Sequence, residues 1–140
     1  MSEARVEVGG EVVGRIGLGL LVLLGIGRED DAAAAHALAT RIAQLRIFDD
    51  DAGRMNRALA DVSGAMLVVS QFTLWGDTSA GRRPSWSRAA PAEQAEPLYR
   101  AFNAAVRARG LEVAAGRFGA DMDVHLVNRG PVTLLLGTEP

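Results

Sequence analysis

Two short runs of hydrogen-bonding residues carry the chemistry available to this 140-residue chain. The first, Ser70-Gln71-Phe72-Thr73, continues the apolar run Met66-Leu67-Val68-Val69 with no turn signal between them. The second is Asn128-Arg129-Gly130-Pro131-Val132-Thr133, near the other end. Polar groups that extend a wholly apolar strand must be paired, so they either stitch the fold or line a pocket. Gly130-Pro131 offers something else. An X-Pro bond reaches cis at low cost, and a preceding Gly has no side chain to hinder close approach. Such a turn can aim its carbonyl oxygens into a neighbouring space.

The commoner catalytic designs find little support. A Ser-His-Asp arrangement needs a histidine trained on Ser70 or Thr73, and nothing in the sequence demands that His125 supply it. His125 reads as a bonded residue of a strand, His36 as a solvated helix residue. With two histidines, no cysteine and no HxxxH or paired-carboxylate pattern, no metal site is expected. No Gly-rich phosphate fingerprint opens a helix, and no cofactor is expected. Asp49-Asp50-Asp51-Ala52-Gly53 resembles a calcium loop only superficially, because no Glu closes it, and it reads as a turn. A hydrolase made from these parts would work largely through backbone groups. The run Gly81-Arg82-Arg83-Pro84-Ser85-Trp86 sets two arginines beside an aromatic. That suits phosphate contact with base stacking, and equally a solvated charged loop.

The elements that must hold these residues read as follows. Gly9-Gly10 between 5–8 and 12–16 predicts a β-hairpin. Residues 18–26, LGLLVLLGI, predict a central strand. Asp30 and Asp31 offer an N-cap to a helix whose stripe is Ala35, Leu38, Ile42 and Leu45. Residues 55–62 read as irregular or a short helical turn. A second helix is expected over 91–109, with Pro91 at its start, Gly110 as its stop, and Leu98, Phe102 and Val106 buried. Strands are expected within 113–121, over 122–127, and last over 132–136, where Pro131 does no harm at the first position.

Composition bounds the rest. Hydrophobic residues make up 49% and charged residues 23%, as in an ordinary globular domain. The net charge of −2 gives no overall attraction for nucleic acid, so any RNA contact needs a local basic patch, built here from Arg alone. The start, MSEARVEVGG, lacks a signal pattern and no apolar run reaches a membrane span, so a cytoplasmic protein with no membrane contact is expected.

Ser70-Gln71-Phe72-Thr73 and Asn128-Arg129-Gly130-Pro131-Val132-Thr133 resemble the SQxT and NxGPxT motifs of the D-aminoacyl-tRNA deacylases. The blocks 18–25, 45–48, 81–85, 95–99 and 116–122 resemble that family in the same order, so the likeness covers essentially the whole chain, 1–140, as one domain. It implies an α/β fold: a compact single domain with a strongly curved, barrel-like β-sheet and two main helices, assembled as a homodimer. It implies hydrolysis of the ester joining a D-amino acid to the 3′-terminal adenosine of tRNA, and cleavage of glycyl-tRNA mischarged on tRNA(Ala). Carried over, Ser70, Gln71, Phe72 and Thr73 form the catalytic wall. Gly130 and Pro131, supported by Asn128 and Thr133, form a cis pair that enters the partner's pocket and rejects L-residues. Arg82 and Arg83 are candidates for tRNA phosphates.

Two alternatives accompany this reading: a non-catalytic tRNA-binding module, and an inactive truncated dimeric homologue. The second arises because family chains commonly begin with a further strand of about eight residues before the part matching 2–8, and losing it would expose a sheet edge. Its arginine is thought to help hold the Gly-Pro pair. A start placed too far downstream would account for the same departure.

Overall fold

A computed structural model describes residues 1–138, and its frame is a three-layer stack. The strands are β1 (Glu3–Val8), β2 (Glu11–Ile16), β3 (Gly19–Leu24), β4 (Phe48–Asp49), β5 (Met55–Arg57), β6 (Ala65–Ser70), β7 (Glu112–Ala115) and β8 (Asp123–Val127). Helices α1 (Ala32–Gln44) and α2 (Ala92–Arg107) are the two main ones. Antiparallel β2-β1-β8 forms one sheet, parallel β3-β6-β7 a second, and β4-β5 a small hairpin.

β6 explains the stacking. Successive side chains of a strand point to opposite faces. Ala65, Leu67 and Val69 therefore pack with Ala4, Val6 and Ile16 of the antiparallel sheet. Met66 and Val68 pack the other way, with Ala35, Ala39 and Ile42 of α1 and Ala95, Phe102 and Val106 of α2. A strand covered on both faces has no polar side, which is why this run reads as continuously apolar. Tyr99 of α2 reaches the same strand, donating its buried hydroxyl to Val68 O at 2.7 Å. Burial pushes that phenol above its ordinary range.

Most expected elements are present, with local differences. Gly9 and Gly10 turn the first hairpin at φ of +58° and +82°, values that suit Gly. Asp31 caps α1, accepting from Ala34 N–H at 2.8 Å. Residues 55–62 hold the expected short helical turn, a 3-10 turn over Ala60–Val62, preceded by β5. β3 lies at an edge of its sheet, not at its centre, because among the described residues only β6 pairs with it. The strand expected over 132–136 does not form within this chain. No described strand pairs with that segment, whose end is held instead by Arg41 Nη1 donating to Gly137 O at 3.1 Å. Leu136 packs on the helical core, while Leu135 is 91% exposed. Among the described residues the strands pair as separate sheets, with no closed barrel.

Candidate active site

The Ser70–Thr73 run turns where the sequence suggests it should continue straight. Gln71 N–H makes the last ladder bond, to Leu24 O at 2.8 Å, and Phe72–Trp75 then winds as a 3-10 turn. Leu74 N–H bonds Gln71 O at 3.2 Å and Gly76 N–H bonds Thr73 O at 3.0 Å. The amides of Phe72 and Thr73 precede the first of these bonds, so the turn's own bonding does not use them. Thr73 is exposed, and its hydroxyl accepts from the Gln71 amide nitrogen.

Aromatic rings from this turn and the following loop hold its geometry. Phe72 meets Trp86 edge to face, with centroids 5.3 Å apart and planes at 72°. Trp75 carries the Arg88 guanidinium 5.0 Å from its ring centre. Close approach of the β3 exit favours glycine at two positions. A Cβ on Gly25 would lie 3.1 Å from Gln71 O, and one on Gly27 would lie 2.6 Å from Trp75 Cζ2. The motif is thus held by packing from two other stretches of chain, the β3 exit and the loop carrying Trp86 and Arg88.

Ser70, Gln71 and Phe72 line a cavity of about 410 Å³. Its other walls are Leu24 at the end of β3, Ile26 just beyond it, Ala90, Ala92 and Ala95 around the start of α2, and Phe118, Gly119, Ala120, Met122 and Val124. The walls are largely apolar, with hydrogen-bonding groups concentrated on the Ser70 side, the usual composition of a site that orients a small ligand. Residues 118–122 were not picked out from the sequence as a pocket wall. Glycine and small residues give no local sign of a cavity when the neighbours that complete it are distant in sequence. The role of Trp86 as a prop for Phe72 was likewise not legible.

The second motif stands apart. Asn128 Nδ2 donates to Thr133 Oγ1 at 3.0 Å, closing a turn around a cis Gly130-Pro131 bond with Gly130 at φ +139°. Asn128, Gly130, Pro131 and Thr133 are all exposed, and none lines the Ser70–Phe72 cavity. The single chain therefore does not bring the two motifs into one pocket. Arg82 and Arg83 sit exposed in a loop closed by paired backbone bonds between Asp77 and Ser85, at 2.8 and 2.9 Å, and line neither cavity.

The histidines do not serve the cavity. Val124 faces it, so the pleat turns His125 to the opposite side of the sheet. There His125 Nε2 lies 2.8 Å from Glu7 Oε2, with Arg5 Nε 3.5 Å from Glu7 Oε1. Partial desolvation raises the Glu7 carboxyl, but the bond to and charge of His125, with Arg5, outweigh it and hold it below its ordinary value. His36 is exposed on α1. Among the described residues, no three His, Cys, Asp or Glu side chains converge as a metal site. No described helix is long and apolar enough to cross a membrane.

Comparison with known proteins matches residues 1–137 to the family model described as D-Tyr-tRNA(Tyr) deacylase. A D-aminoacyl-tRNA deacylase of Symbiobacterium thermophilum is 59% identical over 139 residues, covering 99% of this chain and 92% of that protein. One from Thermus aquaticus is 59% identical over 135 residues, covering 96% and 89%. Among solved structures, the c-Myc DNA Unwinding Element Binding Protein superposes with a TM-score of 0.88 at 39% identity, covering 95% of this chain and 91% of that one. A probable eukaryotic D-amino acid tRNA deacylase matches in fold, with a TM-score of 0.72 at 19% identity, over 89% and 88%.

Proposed function

The chain belongs to the D-Tyr-tRNA(Tyr) deacylase family and is a D-aminoacyl-tRNA deacylase, an ester hydrolase of tRNA proofreading, and from that premise we propose how its residues divide the work. The aminoacyl ester occupies the cavity beside Ser70, Gln71 and Phe72. The observation that carries this is the turn after β6, whose Phe72, with an amide the turn's own bonding does not use, lines a half-open, mostly apolar cavity.

Water attacks the ester carbonyl, and the oxyanion that develops is held by the Phe72 N–H. Collapse of the tetrahedral species breaks the bond to the 3′ oxygen. The proton lost by water passes to that oxygen, relayed by the neighbouring 2′-OH, and free amino acid and tRNA leave. Thr73 is a positioning hydroxyl. A nucleophile needs an activating base. Gln71 donates to this hydroxyl, and His125 lies on the other side of its sheet.

Chirality is read by Gly130 and Pro131 of a second copy of the chain, in a homodimer. Exposure of this turn, and of the apolar Leu134 and Leu135 beside it, supports that arrangement. Carbonyl oxygens accept from the substrate's α-ammonium and leave no room for an L side chain. Glycine has nothing to reject, so glycyl-tRNA is cleaved as well. Arg82 and Arg83 contact tRNA phosphates, and the enzyme works in the cytoplasm.

The test measures ester loss from D-tyrosyl-, L-tyrosyl- and glycyl-tRNA, with sedimentation to determine mass. Cleavage of the first and third by a dimer is expected. Equal rates on D and L, or resistance of glycyl-tRNA, would refute steric rejection. Thr73→Ala should retain measurable turnover. If it binds substrate and assembles normally but has no turnover, Thr73 is the nucleophile after all.

A further inference from the structure

A second cleft, of about 720 Å³, lies across the Phe72–Trp75 turn from the candidate catalytic cavity. Phe72 lines one space and Trp75 the other. Along the same partition, Ile26 borders the cavity and Gly27 the cleft, while Ala90 and Arg88 divide likewise. The two spaces are neighbours built on shared segments.

The cleft differs in chemistry from the cavity. Three arginines line it: Arg28, Arg41 and Arg88. Arg28 is braced by its Nε on Ser87 O at 2.5 Å, and Arg41 by Nη1 on Gly137 O at 3.1 Å. Arg88 is layered on Trp75. Two carboxylates, Glu29 and Asp30, oppose them. Asp30 is already engaged, accepting from Gly27 N–H at 2.8 Å and from Thr138 Oγ1 at 3.5 Å. Braced guanidiniums present the remaining N–H groups in a defined direction, which suits phosphate oxygens. Arg88 and Trp75 form a cation–π pair, and nucleobases stack on guanidinium and indole surfaces alike.

We propose that this cleft is a second nucleotide subsite, taking the phosphate and base that immediately precede the terminal adenosine of the substrate. The inference rests on the reading that the Ser70–Phe72 cavity holds the aminoacylated end. In this proposal the polynucleotide seated there leaves past the wall carrying Phe72 and Trp75. The next phosphate then meets Arg28 and Arg41, and the next base meets the Trp75–Arg88 layer. The cleft thus gives the enzyme a grip on single-stranded RNA that does not depend on which amino acid is attached.

The experiment compares D-tyrosyl-tRNA with 3′-O-(D-tyrosyl)adenosine, which lacks the preceding nucleotide, for wild type, Arg41→Gln and Arg41→Glu. Arg41 lines only the second cleft. Loss of one charge-assisted contact should raise KM for the tRNA about tenfold, with kcat unchanged and a shallower dependence of KM on salt. Hydrolysis of the adenosine ester should be unaffected in both variants, which also reports that they are folded. An unchanged KM for tRNA in Arg41→Glu would overturn the proposal. So would parallel losses on both substrates, which would make the contact with Gly137 merely structural. If wild type cleaves neither substrate, the reading of the catalytic cavity falls, and this one with it.

Discussion

Replacing Trp86 by Leu separates the stability of the fold from the geometry of the catalytic turn. The indole meets Phe72 edge to face at 5.3 Å, inside the attractive range for ring pairs, and lies over the backbone of Gly76, where a Cβ would stand 2.7 Å from Cζ3. Such a pair contributes about 0.5–1.5 kcal/mol beyond its buried area. Because Trp86 is 41% exposed and Leu keeps part of its apolar contact, the area term is small. The expected loss is about 1 kcal/mol, or a melting temperature lowered by roughly 4 °C in a domain of this size. Activity should fall further than stability suggests. Trp86 supports the turn from which the Phe72 amide is aimed, and a catalytic group misplaced by about 1 Å can cost on the order of 10²-fold in rate. Single-turnover deacylation of D-tyrosyl-tRNA should slow about tenfold with substrate affinity little changed, and Trp86→Phe should recover most of the loss. A Leu variant that melts lower yet turns over at the wild-type rate would show that the ring does not position the turn.

Two further substitutions probe the frame. A Cβ on Gly19 would lie 1.8 Å from Ala65 O and 2.8 Å from Ala65 N and C, so Gly19→Ala drives one backbone into another within the β3–β6 ladder. No rotamer relieves that clash. A loss of at least about 3 kcal/mol is expected in urea unfolding, and a wild-type midpoint would contradict the pairing. Asp50 accepts from the N–H groups of Arg54 at 3.0 Å and Ala52 at 2.9 Å, and from Asn56 at 3.3 Å. The bond from Arg54 is the main reason its carboxyl is held below the ordinary 3.8. A carboxyl lowered in the folded state stabilises above its unfolded value, and that contribution fades as pH falls through the folded one. The melting temperature of Asp50→Ala should therefore lie below wild type at pH 7, with the gap closing as pH falls below the ordinary carboxyl value of 3.8. A gap independent of pH would remove the carboxylate from the explanation.

Local chemistry determined much of this protein in advance. The Gly9-Gly10 hairpin, the Asp31 cap, the two helices and the doubly covered β6 follow from residue periodicity and turn preferences, because each depends on neighbours within a few positions. The two motifs, and through them the family, were also legible, since they are runs of consecutive residues. What the sequence could not say is where contacts between distant segments fall. The strand ends at Ser70 and folds into a 3-10 turn because Gly25 and Gly27 admit that turn and Trp86 props it. Residues 116–124 become a cavity wall only once β7 and β8 join different sheets. The segment 132–136 has strand-forming side chains but finds no partner strand among the described residues, so its propensity goes unused within one chain. Propensity acts along the chain, whereas a pocket or a ladder exists only where separate stretches meet, and those meetings are decided by packing.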